Sequence, residues 1–291
     1  IKSLGDAVAL RDRAIRLLEA AEATNDPSRR RALMHMVVVG GNYTGVEVAG
    51  EFHVFLREAC REFPSLDRDE VRVTLVEIAD RILPALDEDL AGYAAERMRR
   101  RGIDIRLGTS ARRITPETVE LRDGEILPAH TAIWCAGIAP SPLIAHLGLP
   151  VDERGYVLAE PNMRVKGYDN VWAIGDSAVN PDPDGKPYPP TAQHAVRQGQ
   201  GLAANLARVV AGEPATHFVY EAVGSLAALG CRTGVAKILG VKLSGFPAWF
   251  LWRTVYLFKM PGLSRKVRVA LDWTLDLFFR RDVVQLGVHR R

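Results

Sequence analysis

Apolar and polar positions follow two distinct rhythms along this chain. From Leu4 to Ala23 apolar residues recur every three to four positions, which predicts one amphipathic helix, and Thr24-Asn25-Asp26-Pro27 predicts a break after it. Residues 33–39 (LMHMVVV) form a continuous run, rich in β-branched side chains and bounded by Gly40-Gly41. Such a run reads as a strand buried on both faces of a parallel sheet. The helical pattern returns over 45–61 and again over 87–101, separated by a strand pattern at Val71–Val76 and followed by another at Ile103–Leu107. Shorter strands are expected at 118–121, over 126–134 and at Val171–Ile174, and a helix over about 190–210; Pro181–Pro190 reads as a loop. Strands alternating with helices in this way predict an open α/β sheet.

Composition narrows the class without changing that picture. Of 291 residues 47% are hydrophobic and 25% charged, with 25 Gly and 17 Pro, which excludes collagen-like, disordered and disulfide-scaffold chains. Cys60, Cys135 and Cys231 stand far apart in no CxxC pattern, so neither a disulfide framework nor a zinc site is expected, and a reducing compartment fits. The uncharged run 126–151 is long enough to span a bilayer but holds Pro128, Pro140, Pro142 and Pro150, which a spanning helix would not carry. No basic-then-apolar signal peptide opens the chain, which begins at Ile1 rather than Met, as either a piece of a longer protein or a truncated relative would. Charge is unevenly placed. Residues 218–291 carry 12 Lys/Arg against 4 Asp/Glu and 11 of the 21 aromatics, while the rest of the chain has a net charge of −5. Two stretches of that block, 247–260 (PAWFLWRTVYLFKM) and 267–281 (VRVALDWTLDLFFRR), are too short to cross a membrane but suit its interface, with aromatics inward and cations on lipid phosphates. The plainer alternative is that they complete the core or a dimer contact. Nucleic acid is disfavoured, because the aromatics cluster with aliphatics.

Four motifs carry candidate chemistry. Gly40-Gly41-Asn42-Tyr43-Thr44-Gly45 lies at a strand-to-helix junction, where glycines allow a tight turn and a helix N-terminus can meet a pyrophosphate. Asn42 replaces the middle glycine of GxGxxG, and its tolerance of left-handed backbone is expected to preserve the turn. Glu77 ends the second strand, where a carboxylate can bind the adenosine ribose hydroxyls and repel a 2′-phosphate; an exposed strand-end Glu is the alternative. Gly175-Asp176 closes the apolar run at 171–174, and an ordinary turn is its alternative. Residues 189–199 (PPTAQHAVRQG) place Gln193, Arg197 and Gln200 near one helical face, fit for an oxygenated ring or simply for solvent, and His194 is expected at the surface.

Together with 134–143 (WCAGIAPSPL), 224–230 (GSLAALG) and the tail 258–287, these segments run through the whole chain in the order found in type II NADH:quinone oxidoreductases, and the sequence resembles that family. The resemblance implies a Rossmann-like NADH-binding domain at 31–145 inserted in an FAD-binding domain. The FAD domain is represented here by a helix in 1–30 and by 146–216, and a basic aromatic membrane-surface region of amphipathic helices follows at 217–291. It implies FAD and NAD as cofactors and hydride transfer from NADH to FAD, then two electrons to a membrane quinone, without proton pumping. Gly40, Gly41, Thr44 and Gly45 would hold the NADH pyrophosphate and Glu77 the ribose, with Glu47 near the nicotinamide and Ala136 and Gly137 bordering it. Gly175 and Asp176 would meet the FAD ribityl chain; Ala192 and Gln193 would lie beside the flavin and the quinone entrance, with Arg197, where the family has Gln, as a further donor. The implied partners are NADH, a membrane quinone, an anionic lipid surface and a second copy through the C-terminal region. The implied place is the cytoplasmic face of the plasma membrane, in a respiratory chain. The family's first glycine loop, which holds FAD, has no counterpart here. Rival readings are a soluble NADH-dependent flavoprotein reductase of the disulfide or ferredoxin type, and a flavin-less NADH-binding module that docks on membranes.

Overall fold

The computed structural model describes residues 3–276, 278–279 and 283–287, in two compact units: 1–136 with 224–291, and 137–223. The first unit opens with helix α1 (Leu4–Glu22), started by a capping box in which the Ser3 hydroxyl accepts from the Asp6 N–H and the Asp6 carboxylate accepts from that of Ser3. Its buried face, Leu10, Ala14, Leu18 and Ala21, is the stripe the periodicity predicts. The break expected after the first helix is present at 23–26, and it leads into a further helix that the sequence pattern does not predict, α2 (Pro27–Leu33): Asp26 caps it and Pro27 occupies the first helical position, where its missing N–H costs nothing.

Strand β1 (His35–Val39) is buried at every position, as its continuous apolar run requires. It leads into α3 (Tyr43–Ala59), β2 (Arg72–Val76), α4 (Glu88–Arg100) and β3 (Ile103–Arg106). An antiparallel meander follows: β4 (Ala111–Ile114), β5 (Thr118–Leu121) and β6 (Ile126–Pro128), and then β7 (Thr131–Trp134). The parallel sheet runs β3-β2-β1-β7. The single strand expected over 126–134 is thus two. Its first half pairs antiparallel with β5 and its second parallel with β1. Pro128, with no N–H, ends the first ladder, and the Ala129 and His130 N–H groups turn to the carbonyls of Glu117 and Ala32.

In the second unit, β8 (Val157–Leu158) and β9 (Ala178–Val179) form a short parallel pair, and α5 (Ala192–Val210) is the long helix. Val171–Ile174 is not a strand: it makes an isolated bridge from Trp172 to Arg164, with hydrogen bonds from Val165 N to Val171 O (2.9 Å) and from Ala173 N to Met163 O (3.1 Å). Met163, at φ +72, bends the partner segment and prevents a continuous ladder. The run is apolar because Val171 and Ala173 pack on the small core of Ile144, Val157 and Val165.

The first unit resumes with an antiparallel sheet of β10 (Gly224–Ala228), β11 (Gly234–Ile238) and β12 (Val241–Gly245), then α6 (Phe246–Lys259) and α7 (Leu263–Leu275). The sheet fills 224–245, a stretch for which the sequence predicts no element, ahead of the two amphipathic stretches. Its β10–β11 turn crosses α3 so closely that a Cβ on Gly50 would sit 2.5 Å from Leu229 O, and one on Gly230 2.5 Å from Gly50 O. Arg101 clamps this crossing, donating to Leu229 O (2.8 Å) and Gly230 O (2.7 Å). Lys237 and Lys242 bind Asp87 at the start of α4, and their hydrogen bonds hold its carboxyl down to about 2. α6 lays Ala248 and Trp249 on β11, whereas α7 buries none of its residues.

Candidate functional site

In the first unit the site is built where β1 gives way to α3. Gly40 carries φ +108, and a Cβ there would lie 2.7 Å from Ala136 N, so β1 can pass β7 at this point only as glycine. A Cβ on Gly45 would fall 1.7 Å from Gly40 O, which is how α3 sits down on the strand. Asn42 is not left-handed as expected; its φ is −73 and it is the helix cap. Its Oδ1 accepts from Gly45 N (3.0 Å) and its Nδ2 donates to Cys135 O (2.7 Å), so a replaced glycine has become a staple between α3 and β7. Thr44 is exposed on the first turn, among N–H groups with no intrahelical acceptor.

Glu77 lies directly beside this loop and is 8% exposed. One oxygen accepts from Gly41 N (2.5 Å) and the other from Ala79 N (2.9 Å). A Cβ on Gly41 would come within 3.1 Å of that carboxylate. The structure therefore brings Gly40, Gly41, Gly45, Thr44 and Glu77 together at the C-terminal edge of the parallel sheet, where open α/β folds bind ligands.

Glu47, one turn into α3, points elsewhere in the same unit. Its Oε1 accepts from Ala228 N of β10 (3.1 Å) and from the Trp252 indole N–H of α6 (2.8 Å). Burial, helped by the charge of Glu51, pushes its carboxyl above the ordinary range despite those two donors. Trp252 and Ala228 were not singled out in the sequence; they stand 205 and 181 residues from Glu47, and no spacing rule reaches that far. Ala136 is half-buried and its carbonyl accepts from the Trp134 indole (2.7 Å); Gly137, next in the chain, is exposed with φ +73.

In the second unit, Gly175 (φ +64) turns the chain against Ala195 of α5, and its N–H donates to the buried Gln198 (2.7 Å). Asp176 follows, exposed. Thr191 caps α5, and Ala192, its first residue, is exposed. His194 is not at the surface. It is buried in an aromatic group with Tyr188 and Tyr220, bonded through Nδ1 to the Thr191 hydroxyl (2.7 Å), and burial lowers its pKa. The amide oxygen of Gln193 accepts from the Tyr220 hydroxyl (3.2 Å), and the Arg197 guanidinium lies 5.6 Å from the centre of the same ring. The structure thus joins Gln193 and Arg197 through Tyr220, a residue the spacing of α5 gives no means to find.

Against known proteins, residues 5–199 match the family of pyridine nucleotide-disulphide oxidoreductases and residues 223–282 the NDH2 C-terminal domain. A probable NADH dehydrogenase of Dictyostelium discoideum is 32% identical over 97% of the chain and 63% of its own length. The type II NADH:quinone oxidoreductase Ndh of Mycobacterium tuberculosis is 32% identical over 97% of the chain and 62% of its own length. The chain thus spans about three fifths of these relatives. Among solved structures, NDH2 of Plasmodium falciparum in complex with NADH superposes with a TM-score of 0.90 at 18% identity, over 98% of this chain and 74% of that one. The α/β fold with a Rossmann-like sheet is the fold of that structure, and the chain belongs to the pyridine nucleotide-disulphide oxidoreductase family.

Proposed function

We propose that the protein is a membrane-peripheral flavoprotein that takes a hydride from NADH and passes two electrons to a quinone without pumping protons. The observation that carries this reading is the glycine cradle at the start of α3 with the Glu77 carboxylate beside it. Gly40, Gly41, Thr44 and Gly45 would hold the pyrophosphate on the helix N-terminus, and Glu77, with lone pairs left after its two backbone bonds, would accept from the ribose hydroxyls. A 2′-phosphate would bring about two further negative charges beside that carboxylate. The carboxylate of Glu47 is engaged by β10 and α6, so its part at the nicotinamide is to fix α3, while Ala136 and Gly137 border the ring. Titration calorimetry on this chain is expected to show NADH bound at least tenfold tighter than NADPH, and Glu77→Gln to narrow the gap. Equal affinities in the parent chain would remove the role given to Glu77.

The second unit fits part of an FAD site. The Gly175 turn is held by Gln198 and leaves Asp176 open to a ribityl hydroxyl. FAD, when bound, supplies the hydride acceptor and the store from which electrons leave in pairs. Gln193 and Arg197 would donate to the quinone oxygen as it gains charge. A redox-active disulfide has no support among Cys60, Cys135 and Cys231, all free thiols.

Among the described residues no helix is long and apolar enough to cross a membrane. α6 and α7 instead leave Phe250, Phe258, Leu263 and Leu271 exposed beside Lys259, Arg265 and Arg268. That surface suits an anionic leaflet, and a homodimer contact is its alternative use. Neutralising Lys259, Arg265 and Arg268 to Gln together should weaken partitioning onto anionic vesicles by about 3 kcal/mol, roughly a hundredfold at low salt. Unchanged co-flotation of the triple variant would exclude an electrostatic lipid contact. Removing 246–291 is the poorer test, because it also takes Trp252 away from Glu47.

A further inference from the structure

A polar cavity lies in the first unit beside the starts of β1 and β2, whereas the glycine cradle lies past the end of β1. The cavity has a volume of about 270 Å³ and is lined by Arg31, His35, Arg72, Thr74, Asp104 and Arg106. His35 pairs with Arg72 across β1 and β2, and Thr74 with Asp104 across β2 and β3, so these side chains share one face of the sheet. Further along that face Val37, Val39 and Val76 form an apolar core with Val119 and Leu121 of β5. His35 and Thr74 are buried all the same. His35 Nδ1 lies 2.8 Å from Pro128 O, which can only accept, so that nitrogen carries the proton. Nε2 of the neutral ring then accepts from the Thr74 hydroxyl (2.9 Å). Arg106 is bound by Asp104 (2.8 Å) and Glu125 (3.2 Å). Among the described residues no carboxylate pairs with Arg72 or Arg31, and Arg31 meets the Ser28 hydroxyl at 3.3 Å.

We propose that this cavity binds a small dianion, a phosphate ester or a dicarboxylate, through Arg31 and Arg72, and that binding is coupled to proton uptake on His35 through the Thr74 hydroxyl. Two guanidiniums without a carboxylate partner at one cavity repel each other, and a doubly negative ligand relieves both, with planar forks that match its oxygens. The volume stands at the low end of ligand pockets, so the ligand is smaller than a second dinucleotide. While the ring is neutral, the Thr74 hydrogen is committed to His35, and its oxygen has only lone pairs to offer the cavity. Once the ring is protonated, Nε2 donates to that oxygen and the hydroxyl hydrogen can turn to the anion. Burial lowers the His35 pKa and the charge of Arg72 adds to this, while the Pro128 carbonyl and Asp104 oppose them. Of the other charged groups at the cavity, Arg31 and Arg106 disfavour the imidazolium and Glu125 favours it. A dianion shifts that balance toward the imidazolium, and by reciprocity it binds tighter as pH falls.

Phosphate itself titrates near about pH 6, so sulfate, doubly charged throughout, is the probe, with succinate as the carboxylate arm and chloride at equal ionic strength as control. Calorimetry on the whole chain is expected to show sulfate bound with a Kd of about 1 mM, unchanged by NADH, because the glycine cradle is a separate place. Binding should be about fivefold tighter at roughly pH 5.5 than at pH 8. Arg72→Gln and Arg31→Gln, both at exposed positions, should each weaken it at least about fivefold and leave the melting temperature unmoved. The His35 ring signal in NMR, assigned by its contact with Thr74, should titrate at higher pH in sulfate than in chloride, and the difference should vanish in Arg72→Gln. Sulfate bound tighter than succinate assigns the site to phosphate esters, and the reverse order to dicarboxylates. No binding below about 20 mM, displacement by NADH, or parent-like binding in both arginine variants would overturn the site. A His35 titration identical in sulfate and chloride would overturn the coupling.

Discussion

Gly45→Ala is expected to cost about 4 kcal/mol or more and to abolish nucleotide binding, while Gly92→Ala, another glycine-to-alanine change in a helix, should stabilise by about 0.5–1 kcal/mol. A Cβ on Gly45 would sit 1.7 Å from Gly40 O, an overlap that no rotamer relieves because both atoms belong to backbone. Either α3 lifts from β1 or Gly40 turns away. Lifting α3 breaks the Asn42 bonds to Gly45 N and Cys135 O; turning Gly40 breaks its 2.7 Å bond to Val76 O and moves Gly41 off Glu77. Each route dismantles the cradle as well as the packing. Gly92 lies exposed on α4 with nothing within 4 Å of the added methyl, so only the entropy of the unfolded chain changes. At about 2–4 °C per kcal/mol for a chain of this size, Gly45→Ala should melt roughly 10 °C lower and Gly92→Ala slightly higher, by circular dichroism. A Gly45→Ala chain melting within about 2 °C of the parent would refute the close approach.

The contrast between these glycines shows what the sequence could and could not disclose. β1, β2 and α3 were legible because each buries a periodic or continuous apolar set in one sheet, and that burial is written locally. α2 was hidden because Asp26-Pro27, which does mark the break after α1, also opens a helix. The strands β10 to β12 are rich in glycine and alanine, small because α3 and α6 come so close, and small residues carry little strand signal. Val171–Ile174 carried that signal without a straight partner to pair with. At the site, the glycine loop and Glu77 could be read because sheet topology places strand ends side by side. The Asn42 bond to Cys135 and the packing of His194 on Tyr220 could not, since both depend on partners from distant segments. The same holds for Glu47, whose position was marked by the family pattern while its partners came from β10 and α6.

Glu47→Ala and Glu47→Gln should therefore move stability in opposite directions at neutral pH. The alanine variant leaves the buried Ala228 N–H and the Trp252 indole N–H without their acceptor, at about 1–3 kcal/mol for each donor left unsatisfied. Glutamine keeps an oxygen for both donors and removes the charge. Because burial is the largest cause of the raised Glu47 pKa, the fold favours the neutral carboxyl. The stability contributed by the neutral carboxyl is thus fully present below the unfolded value, about 4.3, and is lost as pH rises through the folded one. Subtracting the parent's urea-unfolding free energy from that of Glu47→Gln cancels other titrating groups such as Asp87. The difference should be lowest below about pH 4, grow as pH rises, and level off once Glu47 is ionised in the folded chain. Tyr256, whose pKa is raised by its own burial and by the Glu47 charge, should relax toward its ordinary value in both variants. A flat difference curve, or an alanine variant within about 1 kcal/mol of the parent, would mean that α3 and α6 are not joined through this carboxyl. The expected result instead makes Glu47 the point at which α3 is joined to β10 and α6 through one hydrogen-bonded atom.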